Sequence, residues 1–187
     1  ETNKIEVYLA EIAELYVFLH CDIEHSEQII YTMSKELTIE DIQEIVAKDE
    51  SRYLELKQTT GELYKAMTSA CAFLNTDGGW VMFGITPKLK IVGQNVTDPT
   101  RQEIANALRK FEPAIDIPVQ YVEIPEKEGF YVIAMYFNPP APTQAPYTFD
   151  ARPYYKVENT TAIMPREMFE ARIRRSNPGM FSWERLK

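Results

Sequence analysis

Apolar residues return every three or four positions at the start of the chain: Ile5, Tyr8, Leu9, Ile12, Leu15, Tyr16 and Leu19, with Glu6, Glu11 and Glu14 between them. This spacing predicts an amphipathic helix with one face seeking a partner. A second helical stretch is predicted over residues 26–35. Thr38, with Asp41 three residues on, predicts an N-cap that opens a short helix to Ala47. The period then falls to two over residues 53–57, a short strand, and Gly61 ends it. Leu63, Ala66, Met67, Ala70, Phe73 and Leu74 mark one face of a helix ending at Asn75. Asp77-Gly78-Gly79 supplies the backbone freedom for a tight turn. Residues 80–85 are apolar in succession, as in a strand covered on both faces.

Beyond the Pro87-Lys88 turn, Ile91-Val92-Gly93 predicts a short returning strand. Asp98 followed by Pro99 predicts a capped helix to Lys110, burying Ile104, Leu108 and Phe111. Strands are predicted over 119–124 and 130–137, joined by the charged turn Glu126-Lys127-Glu128-Gly129. Four prolines within 139–146 predict an extended loop. A short strand over 154–157 and a helix opened by Pro165 and running to Arg175 complete the pattern. The expected fold is α/β (α+β), a central mixed β-sheet flanked by helices and preceded by a helical arm. The expected division is an arm over 1–36, a domain over 37–176 and a tail over 177–187 that contains Trp183.

Hydrophobic residues make up 45% of the 187 positions, 22 of them aromatic, which is ample for a packed core. No apolar run approaches the ~18 residues of a membrane span. Cys21 and Cys71 stand apart in apolar helical patterns, so reduced thiols and a cytoplasmic location are expected. The net charge of −8 would argue against a polyanionic partner if it were evenly spread. It is not: residues 1–50 carry a net −10, the remainder a net +2, and residues 152–187 a net +4. Phosphate contact is therefore open to the body of the chain.

Glu55 and Lys57, two apart on a strand, share a face, and Glu50 lies just before it. Clustered carboxylates can hold Mg²⁺ or Mn²⁺ while a lysine stabilises charge developing on a phosphate. The same residues also fit an exposed Glu–Lys pair contributing under about 1 kcal/mol. The turn from Asn75 through Asp77, Gly78 and Gly79 either cradles phosphate with backbone N–H groups or only folds a helix back onto its strand. Arg172, Arg174 and Arg175 close the last helix, with Arg166 at its start. They complement the helix dipole or form a phosphate-contacting patch with Lys156 and Arg152. Tyr154 and Tyr155 stack on bases or pack in a sheet. His20, Cys21 and His25 lack a fourth ligand at helical spacing, which argues against zinc. No Gly-Lys-Ser/Thr follows the glycines, and two histidines without a nucleophile elbow do not make a serine hydrolase.

Five phrases in order carry a family likeness: Glu50-Ser51, Leu54-Glu55-Leu56-Lys57, the run Ser69 to Gly79, Phe83-Gly84-Ile85 with Val92-Gly93, and Tyr154 to Thr161. Over residues 37–175 the chain resembles the Schlafen/AlbA-type domain of bacterial proteins. The resemblance implies nucleic-acid binding, DNA ahead of RNA, and a role in transcriptional regulation. Some branches of the family cleave RNA. Their pattern implies three carboxylates, two matching Glu50 and Glu55 and an Asp just past the Phe-Gly strand, where this chain has Thr86-Pro87. The family's late glycine is also replaced, by Glu158-Asn159.

The expected function is thus nucleic-acid binding without efficient cleavage and with no cofactor. Glu50, Glu55 and Lys57 form a remnant site, and Lys156, Arg172, Arg174, Arg175 and Arg152 contact the backbone. One alternative is a nuclease using Mg²⁺ or Mn²⁺ at Glu50 and Glu55. The other is an interaction module, or a homo-oligomer formed through the N-terminal helix.

Overall fold

The computed structural model describes residues 36–47, 52–125, 127–141 and 143–177. All elements below belong to the unit that begins at Thr38. The helices predicted over 5–19 and 26–35, the His20–Cys21–His25 group, Glu50 and Trp183 lie outside the described residues.

Within them the chain runs α1 (Ile39–Ala47), β1 (Leu54–Lys57), α2 (Leu63–Leu74), β2 (Gly79–Phe83), β3 (Gln94–Asn95), α3 (Asp98–Leu108) and β4 (Phe111–Glu112). It continues through β5 (Gln120–Glu123), β6 (Phe130–Phe137), β7 (Thr148–Phe149), β8 (Tyr154–Val157), β9 (Thr160–Ile163) and α4 (Arg166–Ser176). Thr38 caps α1 as its sequence requires: its Oγ1 accepts from the Asp41 N–H at 3.2 Å, and its own N–H donates to Asp41 Oδ2 at 2.7 Å.

Strand β1 lies parallel to β2, and the crossover between them is α2. Strand β6 runs antiparallel to β2 on one side and to β5 on the other, and β3 extends the β2 side of β6. The sheet is therefore mixed, as expected. The register sorts its faces. Val81, Phe83, Ile133, Met135 and Phe137 share the face that packs on α2, where Met67, Ala70 and Phe73 are fully buried. Met82, Ala134 and Tyr136 share the opposite face with Leu54 and Leu56, all buried.

Two small sheets lie outside the main one: β4 pairs with β7, and β8 with β9. The β8–β9 hairpin packs against α2. Neither β9 nor β4–β7 is marked in the sequence. Thr160-Thr161-Ala162-Ile163 has no alternation of apolar and polar residues, and two-residue strands are too short to have a period.

Three expectations are corrected. The returning strand at 91–93 reduces to a single Ile85–Ile91 bridge, because the Val92 and Gly93 N–H groups both donate to the Gly84 carbonyl at 2.9 Å. The cap of α3 is Thr97, not Asp98, with the Thr97 N–H donating to Thr100 Oγ1 at 3.3 Å. Phe111 belongs to β4, beyond the helix that was expected to bury it.

Candidate functional site

The end of α2 sets the geometry. Asn75 caps the helix and is 1% exposed. Its Nδ2 donates to the carbonyls of Tyr147 and Tyr154, and its Oδ1 accepts from the Tyr147 N–H, each at 2.8 Å. Gly78 then turns the chain at φ 75°, and its N–H donates back to the Phe73 carbonyl at 3.0 Å. A side chain at Gly79 would lie 2.7 Å from the Tyr53 carbonyl oxygen and 2.8 Å from the Phe73 ring. These glycines serve chain reversal and close packing, and the Gly78 N–H is already used.

Glu55 and Lys57 pair in register with Val81 and Phe83, so they stand on the helix-covered face of the edge strand. They do not form the exposed pair that strand alternation allows. Lys57 Nζ lies 2.6 Å from Glu55 Oε1, with the side chains only 11% and 17% exposed. Lys156, carried in by β8, places its Nζ 3.9 Å from Glu55 Oε2 and 4.8 Å from the centre of the Phe73 ring. Its side chain is 3% exposed. The surface phosphate contact expected of Lys156 is thus replaced by an inward role: both oxygens of Glu55 face ammonium groups. Among the described residues no three carboxylate, histidine or cysteine side chains gather where they could hold a metal ion.

A second charged site flanks the turn. Arg52 pairs with Asp77, and both line a cavity of about 330 Å³ together with Arg172, Arg175, Thr76 and Gln144. Arg172 Nη1 donates to the Asn75 carbonyl at 2.6 Å. Burial, and then the neighbouring Arg175 charge, lower the Arg172 pKa from its ordinary value.

The arginines of α4 are therefore divided. Arg172 and Arg175, three apart, turn to the cavity. Arg174 joins Glu170 at 3.3 Å, and Arg166 joins the same carboxylate at 2.7 Å. Arg152 is exposed and belongs to neither site. It stands near Tyr64, whose phenol pKa is raised chiefly by its hydrogen bond to Asp150 while the Arg152 charge opposes the rise. Tyr154 is buried in the core cluster, which favours packing over base stacking for that ring.

Sequence reasoning passed over Arg52 and Gln144. A signal for Arg52 existed: β1 and β2 are parallel with Leu54 opposite Trp80, so residues just before each strand meet at one end of the sheet. The family's missing late glycine also has a structural counterpart. Glu158, in the turn between β8 and β9, has φ 52°, a left-handed conformation that suits glycine.

Among the described residues no helix is long and apolar enough to cross a membrane. A solved structure, the DIP2311 protein from Corynebacterium diphtheriae, is similar at 19% identity and a TM-score of 0.46. The likeness covers 73% of this chain and 28% of that one. No curated protein matches the chain. The family model described as Schlafen, AlbA_2 matches residues 50–165, more than half of the chain and all of the sheet. The charged cluster at Glu55 and the Asn75 turn both fall inside that match, and the chain belongs to the Schlafen AlbA_2 family.

Proposed function

We propose that this domain binds nucleic acid through its phosphates, DNA in preference to RNA as a transcriptional regulator would, without efficient cleavage. The observation that carries this reading is the state of Glu55. Both of its oxygens face lysines, at 2.6 and 3.9 Å. A divalent cation taking Glu55 as a ligand would stand against two ammonium charges and would have to displace at least one of them. The position just past β2, where cleaving relatives are expected to supply a further carboxylate, holds Thr86-Pro87. Family membership and the two cavity-facing arginines of α4 support the binding half of the proposal.

The test is fluorescence anisotropy with labelled single- and double-stranded DNA and RNA, with and without Mn²⁺, each sample being run on a gel afterwards. Strands should stay intact. Affinity should fall with salt, and Arg175→Ala should reduce the log–log salt slope by about 0.7–0.9. Metal-dependent shortening that Glu55→Gln abolishes would establish a nuclease instead. Absence of binding to every strand would favour an interaction module.

A further inference from the structure

We propose that the cavity beside the Asn75 turn receives a terminal phosphate, the phosphomonoester of a strand end or of a single nucleotide. This rests on the nucleic-acid reading and narrows it to one subsite. Three guanidinium groups and one carboxylate line the cavity: Arg52, Arg172, Arg175 and Asp77. Asp77 is paired with Arg52. Among the described residues no carboxylate pairs with Arg172 or Arg175. These two are near enough for one charge to perturb the other, and both border open space. Like charges brought together beside a cavity are unfavourable until an anion enters between them.

The anchoring of Arg172 favours a built site over a chance grouping. Its bond to the Asn75 carbonyl fixes the guanidinium while leaving N–H donors to spare, since arginine carries five. Planar, multiply donating groups held in place suit phosphate oxygens. Size and wall chemistry limit the ligand further. About 330 Å³ is at the low end of the roughly 300–1,000 Å³ found for small-molecule sites. Pro140, Ala141 and Pro146 give an apolar wall against which a sugar or base can lie, and Gln144 adds a polar group.

Charge decides between a strand end and an internal linkage. The lining groups sum to +2, and a phosphomonoester carries about −1.5 to −2 at neutral pH against −1 for a phosphodiester. The monoester is the better match.

The experiment compares single-stranded oligonucleotides carrying a 5′-phosphate, a 3′-phosphate, or hydroxyls at both ends, by anisotropy at fixed salt. A nucleoside monophosphate is titrated by calorimetry in parallel. At least one phosphorylated strand should bind about tenfold more tightly than the hydroxyl strand. Arg175→Gln should reduce that preference to within about twofold; Arg175 is exposed and, among the described residues, does not share the hydrogen bond by which Arg172 holds the turn. A monophosphate binding as tightly as the strand would identify the free nucleotide as the ligand. Equal binding of all three strands without monophosphate binding would overturn the subsite, as would a preference that survives Arg175→Gln. If that equal binding is salt-sensitive, the broader reading stands; no binding of any strand overturns both.

Discussion

Replacing Asn75 with alanine tests the claim that one amide side chain holds the second half of the domain to α2. The side chain makes three hydrogen bonds of 2.8 Å at a site 1% exposed. Their loss leaves the Tyr147 N–H and the Tyr154 carbonyl without a partner and leaves the Tyr147 carbonyl only the weaker Cys71 thiol donor at 3.4 Å. A buried backbone group left without a partner costs about 1–3 kcal/mol, and some relaxation or a water recovers part of that. The expected loss is about 3–5 kcal/mol, a large share of the roughly 5–15 kcal/mol that holds a typical domain folded. In urea this lowers the midpoint by about 2 M at an unchanged slope near 2 kcal/mol/M.

Asn75→Asp separates hydrogen bonding from volume. Aspartate has nearly the same shape, yet it puts an oxygen where Nδ2 now donates to two carbonyls. Aspartate should therefore destabilise at neutral pH at least as much as alanine. A midpoint shift under about 0.5 M for either variant would refute the reasoning.

Three further outcomes are expected. Burial pushes the Cys71 thiol up to about 12 from an ordinary 9, so its contribution to stability is complete below pH 9. It is lost at about 1.4 kcal/mol per pH unit from there to pH 12, because the unfolded chain ionises first; urea midpoints that stay flat to pH 11 would contradict this, and Cys71→Ala should remove the slope between pH 9 and 10, above which the Tyr136 phenol, also pushed up by burial to about 12, adds its own. Glu55→Gln should cost about 2–4 kcal/mol by leaving two lysines without their shared anion. Lys156→Met, which preserves the Glu55–Lys57 pair, should cost less than half as much in the same urea titrations. Glu158→Gly should stabilise by up to about 1 kcal/mol, as relief of the left-handed strain outweighs the added freedom of the unfolded chain; a lower urea midpoint would count against it.

Local patterns were legible and distant meetings were not. The face Leu63–Leu74 and the Gly78-Gly79 turn appear in the sequence because helix period and turn chemistry act within a few residues. The division of the α4 arginines was also present: Arg166, Glu170 and Arg174 stand four apart, and Arg172 and Arg175 stand three apart. It is lost when charges are counted along the chain and not placed around a helix. Lys156 reaching Glu55 across about a hundred residues has no local signature. It depends on the β8–β9 hairpin lying on α2, and β9 itself has no strand pattern. Glu50 falls outside the described residues.

Asn75 is the residue through which the two charged sites are related, and its chemistry explains why no near substitute would serve. Its side chain fixes the Tyr154 carbonyl, and Lys156 follows two residues later on the same face of β8, directed at Glu55. Its own carbonyl receives Arg172, which brings α4 and its second arginine to the cavity. One N–H and two carbonyls must be satisfied together on a short stem. Serine has a single hydroxyl proton to offer two carbonyls. Aspartate has no proton to offer at neutral pH. Glutamine has the right groups but an additional methylene in a site already closed at 2.8 Å. The reach of Lys156 depends on the Asn75 side-chain amide and the anchoring of Arg172 on the same residue's backbone carbonyl, so a displacement of this turn should disturb the Glu55 cluster and the arginine cavity together.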